Sequence, residues 1–183
     1  MFTLLCYNYL KEAYGGEFMK NNIILGTGSY SSVKSGNTVS VTGDGGNAWN
    51  YFGPAYKKLA PRLITYLPYA EGYEKLQQIK DPLEYLEYRK KIEDEYIYSY
   101  YETRLKSLDV YELLNILYSR FGDDIILLCH EDPSEFCHRR LIADYIELET
   151  GIYIPEICVS EEGKVKKIMP IRYKNRLNKI INK

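Results

Sequence analysis

The chain has 183 residues, 45% hydrophobic and 27% charged, with 24 Lys and Arg against 25 Asp and Glu. That length and balance describe one well-cored globular domain and exclude a disordered chain. The formal net charge of −1 supplies no field to gather nucleic acid, and no apolar run reaches the roughly 20 residues that span a bilayer, so neither is an expected partner.

A first strand is predicted at Phe2 to Tyr7. Residues 20–53 are rich in Gly, Ser, Thr and Asn, with short β runs at Ile23–Leu25 and Thr38–Val41 around the turn residues Ser35, Gly36 and Asn37. The simplest reading is a flexible hairpin. Pro61 marks the start of a helix. Asp81 and Pro82 suit a cap and first position, and Tyr85, Tyr88, Ile92, Tyr96 and Tyr100 follow at helical spacing, with a break expected near Glu93–Glu95. Asp109 and Glu112 have capping-box spacing ahead of Val110, Leu113, Leu114 and Leu117, and Gly122 ends that helix. "DDIILLC", residues 123–129, is apolar without alternation, the mark of a strand buried on both faces of a parallel sheet. A third helix ends at Gly151 with Leu141, Ile142, Tyr145 and Ile146 facing inward, and "EICVSEEGKVKKI" reads as a hairpin turning at Glu162-Gly163.

The sum is a single three-layer α/β domain, a mostly parallel sheet flanked by helices plus a C-terminal β-hairpin. Residues 1–156 form the domain and 157–183 a hairpin and basic extension, whose Lys and Arg read as a solvated helix face. Four cysteines (Cys6, Cys129, Cys137, Cys158) lack the density of a disulfide scaffold, and the opening residues lack a cationic leader, so cytoplasmic residence is expected. The 20 tyrosines accompany abundant Lys, Asn and Ile. That mixture points to an AT-rich genome, a phage or low-GC bacterium, and the tyrosine count is given no functional weight.

The chemistry concentrates in "ILLCHEDPSEFCHRRLIADYI", residues 126–146. Cys129 ends the apolar strand and Cys137 to Arg140 lie near the next helix start, at the sheet edge where open α/β folds bind ligands. Asp132, Pro133 and Glu135 make the favoured capping box; with Ser134 as cap instead, Cys137 falls in the first turn, near free N–H groups that favour a thiolate. Four readings follow. Cys137 is a reactive thiol, with His138, Arg139 or His130 beside it. Cys129, His130, Cys137 and His138 form a Cys2His2 set, but adjacent side chains diverge in both strand and helix, so no metal and no cofactor is expected. Arg139 and Arg140 grip an anion, Glu131 takes a hydroxyl or amino group, and "GTGSYSS" and "TGDGGN" lend backbone amides. Finally, Cys129 is a small core residue and Arg140 pairs with Asp144 on the helix surface.

The same block resembles domain-of-unknown-function family 488, whose signature is an apolar strand, Leu-Cys-x-Glu, a short loop and Cys-His-Arg. Cys129, Glu131, Cys137, His138 and Arg139 match it. "YKKLAP" (Tyr56 to Pro61), "LDVYELL" (Leu108 to Leu114) and the opening "MFTLLCY" resemble one subgroup, and the likeness runs to about Glu156. Residues 20–36 look inserted, and Val41-Thr42-Gly43-Asp44 stands where the family carries a basic residue. The resemblance implies a compact α/β fold, cytoplasmic residence and no agreed reaction.

The expectation is therefore a pocket walled by Cys129 to Arg139 and roofed by residues 26–47, binding and processing a phosphorylated, nucleotide-like anion. Cys137 is the candidate nucleophile, Glu131 the acid/base, His138 the proton carrier and Arg139 the anion clamp, with Cys129, His130, Asp44, Asn47 and Tyr56 completing the ligand contacts. This requires the His138 and Arg139 side chains to open into one hollow. The alternatives are a non-catalytic, nucleotide-sequestering module and a nucleic-acid-associated module using the basic tail. A homo-oligomer is compatible with either.

Overall fold

The computed structural model describes residues 23–182. In chain order it contains β1 (Ile24–Ser29), β2 (Asn37–Ser40), α1 (Leu63–Leu76), α2 (Pro82–Tyr100), α3 (Val110–Phe121), β3 (Ile125–Cys129), α4 (His138–Thr150), β4 (Glu156–Val159), β5 (Val165–Ile168) and α5 (Lys174–Ile181). The strand expected at Phe2 to Tyr7 lies outside the described residues.

The unbroken apolar run of β3 does what such a run must: all five of its residues are buried, because strands cover both its edges and other layers cover both its faces. The sheet order is β2-β3-β1-β4-β5. Strands β1 and β2 both run parallel to β3, β4 runs parallel to β1, and β5 is antiparallel to β4. Ile125 and Leu127 join the large core formed with α2, α3, α4 and α5. Ile126 and Leu128 face a thinner layer with Val33, Ile157 and Val159, against which Leu25, Tyr30 and Tyr51 pack. The chain is a mixed α/β domain, mostly parallel, with a C-terminal strand pair, and no helix among the described residues is long and apolar enough to cross a membrane.

The Gly-rich segment is not a hairpin. Ile24 and Asn37 pair with opposite edges of the same β3 residue, Ile125, so β3 separates the two short runs. The segment read above as inserted, 20–36, thus contains β1, the central strand of the sheet. The glycines of "GTG" serve packing: a Cβ on Gly26 would lie 2.9 Å from Ile157, and one on Gly28 would lie 2.4 Å from Val33. No other residue lets β4 and the Val33 turn approach so closely.

Asp81 and Asp109 cap as read, each accepting from two backbone N–H groups. The break expected near Glu93–Glu95 does not occur. Glu93 is buried but satisfied by Arg89 Nε at 2.8 Å and Arg176 Nη1 at 2.7 Å, and α2 runs on into a π-type turn at Tyr101–Leu105. Arg176 comes from the basic tail, as do Arg172, which reaches Asp144 at 2.6 Å, and Lys174, which reaches Glu147 at 2.8 Å. Three of the tail's cations thus face acidic partners across α5, α4 and α2, and Tyr173 and Leu177 of the same segment belong to the main core.

The first turn of α4 is pinned by buried charge. Arg139 and Glu156 both have fully buried side chains and meet at 2.9 Å. Arg140 donates to Thr27 Oγ1 at 2.6 Å and to the Ile154 carbonyl, with Glu156 at 3.6 Å. Its pairing with Asp144, expected on the surface, is a buried contact at 4.0 Å. Removing one partner of such a pair strands the other charge in the interior. Glu156→Ala is expected to lower the unfolding free energy by about 3–5 kcal/mol in denaturant titration; a loss below about 1 kcal/mol would be that of an exposed pair and would contradict this account.

Candidate active site

The loop between β3 and α4 departs from both helix starts considered above. The Asp132 box does form: the Asp132 amide donates to Glu135 Oε2 at 2.9 Å and the Glu135 amide to the Asp132 carbonyl at 2.9 Å. Yet it closes a turn and not a helix. Phe136 then inserts among Tyr69, Tyr96 and Tyr173, ring centroids 5.2, 5.2 and 5.0 Å away, and this apolar anchor accompanies an extended chain. Cys137 is itself the N-cap of α4, at φ −151° and ψ 141°. Two consequences follow. Its thiol stands at the positive end of the helix, and at this switch from extended chain to helix its Sγ lies 4.0 Å from His138 Nδ1.

The two side chains therefore converge with those of the β3 end. The Cys129 thiol donates to Glu131 Oε2 at 3.0 Å, and Cys137 Sγ lies 2.9 Å from the same oxygen. His138 Nδ1 lies 3.6 Å from Cys129 Sγ and 4.0 Å from Cys137 Sγ. Its Nε2 sits 3.0 Å from the Val41 carbonyl; a carbonyl can only accept, so the proton is on Nε2 and Nδ1 faces the sulfurs.

The environment splits the two thiols. Burial pushes Cys129 well above the usual thiol range, with the neighbouring Cys137 adding to the shift. Burial acts on Cys137 too, but hydrogen bonding from Cys129, the Arg139 charge and His138 outweigh it and hold the group well below that range. Burial, then the Cys137 charge, raises Glu131 to about 7. Burial opposes the charged imidazole of His138, yet Cys137 and Glu131 raise it overall. Glu131 Oε2 thus lies within 3.0 Å of both sulfurs, accepting from the Cys129 and Cys137 thiols.

Above this cluster lies a cavity of about 480 Å³. Cys129, Glu131, Cys137 and His138 form its floor, Tyr66, Tyr69, Tyr96 and Phe136 an aromatic wall, and Thr42, Gly43, Asp44, Pro61, Leu63 and His130 the remainder. His130 turns away from Cys129, as neighbours on a strand end should, and its Nε2 meets Asp44 Oδ1 at 3.2 Å. The ring is held between Tyr30 and Trp49, centroids 5.2 and 5.8 Å away. Burial would raise the Asp44 carboxyl, but the Thr42 hydroxyl, the Gly46 amide and His130 bring it down to about 2.

Of the residues read as site residues, Cys129, His130, Glu131, Cys137, His138 and Asp44 meet at this cavity. Three do not. Arg139 is 0% exposed, its guanidinium committed to Glu156 and, at 2.7 Å, to the Glu131 carbonyl. It and His138 point apart because α4 has begun between them, so the shared hollow does not exist and Arg139 is no anion clamp. Tyr56 is a core residue against Phe121. Asn47 sits exposed in a 3-10 turn. Of the proposed Gly-rich roof only Thr42, Gly43 and Asp44 touch the cavity. The aromatic wall is not anticipated from the sequence: Tyr66 and Tyr69 go unweighted with the tyrosine count, and Tyr96 is read only as part of a helical stripe.

No family model, no curated protein and no solved structure matches the chain.

Asp44 ionises near 2 when folded against an ordinary 3.8. A depressed carboxyl stabilises the fold above the unfolded value, and that stabilisation fades as pH falls through the folded one. Wild type is therefore expected to exceed Asp44→Asn in stability at pH above about 4, the difference closing towards pH 2. A gap that stays constant across this range in thermal melts would contradict the assignment.

Proposed function

We propose that the protein is an enzyme acting on an uncharged, flat heterocycle of nucleobase or nucleoside size, with the reacting centre at Cys129, Glu131, Cys137 and His138. One observation carries this reading: a single cavity joins an aromatic wall to a floor of three buried reactive groups, Cys129, Cys137 and His138, and the half-buried Glu131. Its volume of about 480 Å³ lies within the range of small-molecule sites. Tyr66 and Tyr69 offer rings for stacking, backed by the buried Tyr96. Asp44 and His130 offer a carboxylate and an imidazole to the polar edge of a ring.

The phosphate of the nucleotide-like expectation is left out of this reading. Among the described lining residues there is no Lys or Arg. Arg139 and Arg140 are spent on Glu156, and the ionised Asp44 would repel a phosphate. The nucleic-acid alternative weakens for a similar reason, since Arg172, Lys174 and Arg176 already face carboxylates. Cys129, Cys137 and Cys158 are free thiols, which favours a reducing compartment such as the cytoplasm.

The test is a panel of nucleobases, nucleosides and nucleoside monophosphates, read by thermal shift and by mass spectrometry of the recovered compound. Uncharged members are expected to stabilise the protein more than their monophosphates and to be chemically altered. A bound compound recovered unchanged would support the sequestering alternative, and preference for monophosphates would contradict the reading of the wall. Tyr66→Ala, at a half-exposed wall position, is expected to weaken binding by about 1–3 kcal/mol, the worth of one stacked ring; unchanged affinity would remove Tyr66 from the site.

A further inference from the structure

We propose that Cys129, Cys137 and His138 together bind one divalent transition-metal ion, zinc by their donor set, with a fourth coordination position open to the cavity beside Glu131. The two thiols and the imidazole offer donor atoms that all lie within 4.8 Å of one another. A tetrahedral zinc with sulfur at about 2.3 Å and nitrogen at about 2.0 Å holds those two donors about 3.5 Å apart. His138 Nδ1 stands 3.6 and 4.0 Å from the two sulfurs, so little movement is needed.

The support for His138 is what a ligating imidazole requires. Its other nitrogen donates to the Val41 carbonyl at 3.0 Å, which fixes the ring and leaves Nδ1 as the lone pair. Charge balance points the same way: two thiolates neutralise a divalent ion, whereas without one the floor crowds two sulfurs against a single carboxylate oxygen at 3.0 and 2.9 Å. Sequence spacing argued against this set because adjacent ligands diverge. That holds for Cys129 and His130 but fails for Cys137 and His138, whose Sγ and Nδ1 lie 4.0 Å apart where the chain passes from an extended N-cap into the helix.

Three protein ligands with a vacant fourth position is the pattern of catalytic zinc rather than structural zinc. Water in that position would give one proton to the Glu131 carboxylate, leaving hydroxide on the metal. The hydroxide forms a bond to an electrophilic ring carbon as the bond to a leaving amine or alkoxide breaks, and the proton on Glu131 passes to that leaving group. This hydrolytic step rests on the heterocycle reading above; binding of the ion does not.

The test uses the metal alone, without any organic ligand. Metal-stripped full-length protein is titrated with Co²⁺ and then Zn²⁺. Expected are one equivalent bound, thiolate-to-cobalt charge transfer in the near ultraviolet and tetrahedral visible bands, all displaced by Zn²⁺. Cys129→Ser, Cys137→Ser and His138→Ala are each expected to weaken binding by about 100-fold or more, while Cys158→Ser binds as wild type. Glu131→Gln is expected to retain the ion; a tenfold or greater loss there would overturn the open position. X-ray absorption on the wild-type zinc protein reads the same site should a variant not fold. Two sulfurs and one nitrogen are expected, and fewer than two sulfurs, or no thiolate band at one equivalent, overturns the proposal. A null result in the heterocycle panel would leave these readings untouched.

Discussion

The first turn of α4 is held by an ion pair with no exposed surface, Arg139 with Glu156, and the chemistry of the cavity depends on where that pair puts the turn. Burying two charges is costly unless they meet with good geometry and their remaining hydrogen-bonding capacity is filled. Here it is: Arg139 gives two donors to Glu156 and one to the Glu131 carbonyl, and Thr27 donates to the other carboxylate oxygen. The pair therefore joins three pieces of chain, β4, the start of α4 and the loop bearing Glu131. Cys137 and His138 cannot shift along the sheet without breaking it.

This arrangement also explains what the cavity lacks. A cation within reach of the floor would have been an anion clamp, but Glu156 lies on the opposite side of the α4 start and claims both arginines. The Arg139 charge still reaches Cys137, as one of the influences that lower its thiol. It acts from behind, on the protein's own sulfur, while the aromatic wall and Asp44 face the ligand. A floor that favours a thiolate at Cys137, beneath a wall that favours flat uncharged rings, is a division of labour produced by the 100° helical step between positions 138 and 139.

Much of this was legible in the sequence. The β3 strand, the Asp81 and Asp109 caps, the end of α3 at Gly122 and the hairpin turn at Gly163 follow from local rules that tertiary contacts did not override. Cys129, Glu131, Cys137 and His138 were legible as a group. What escaped were decisions between competing partners. The Asp132 box was real but closed a turn, because Phe136 gains more by entering the aromatic core than the chain gains by starting a helix early. The "GTG" run looked like a loop because glycine is the usual turn residue, whereas here it lets Ile157 and Val33 approach. Arg139 looked like a ligand residue because its partner, Glu156, is 17 positions away, beyond the reach of any local pattern. The wall of tyrosines escaped because tyrosine is abundant throughout the chain.

The central claim is that the sulfurs of Cys129 and Cys137 meet at the cavity floor. Capture by a trivalent arylarsenical tests this most directly, since stable retention requires two thiols close enough to bind one arsenic atom. The account expects one arsenic per native chain, linking the peptides that carry Cys129 and Cys137, resistant to monothiols and released by a dithiol. Absence of retained arsenic, or retention unchanged in Cys137→Ser, would contradict it.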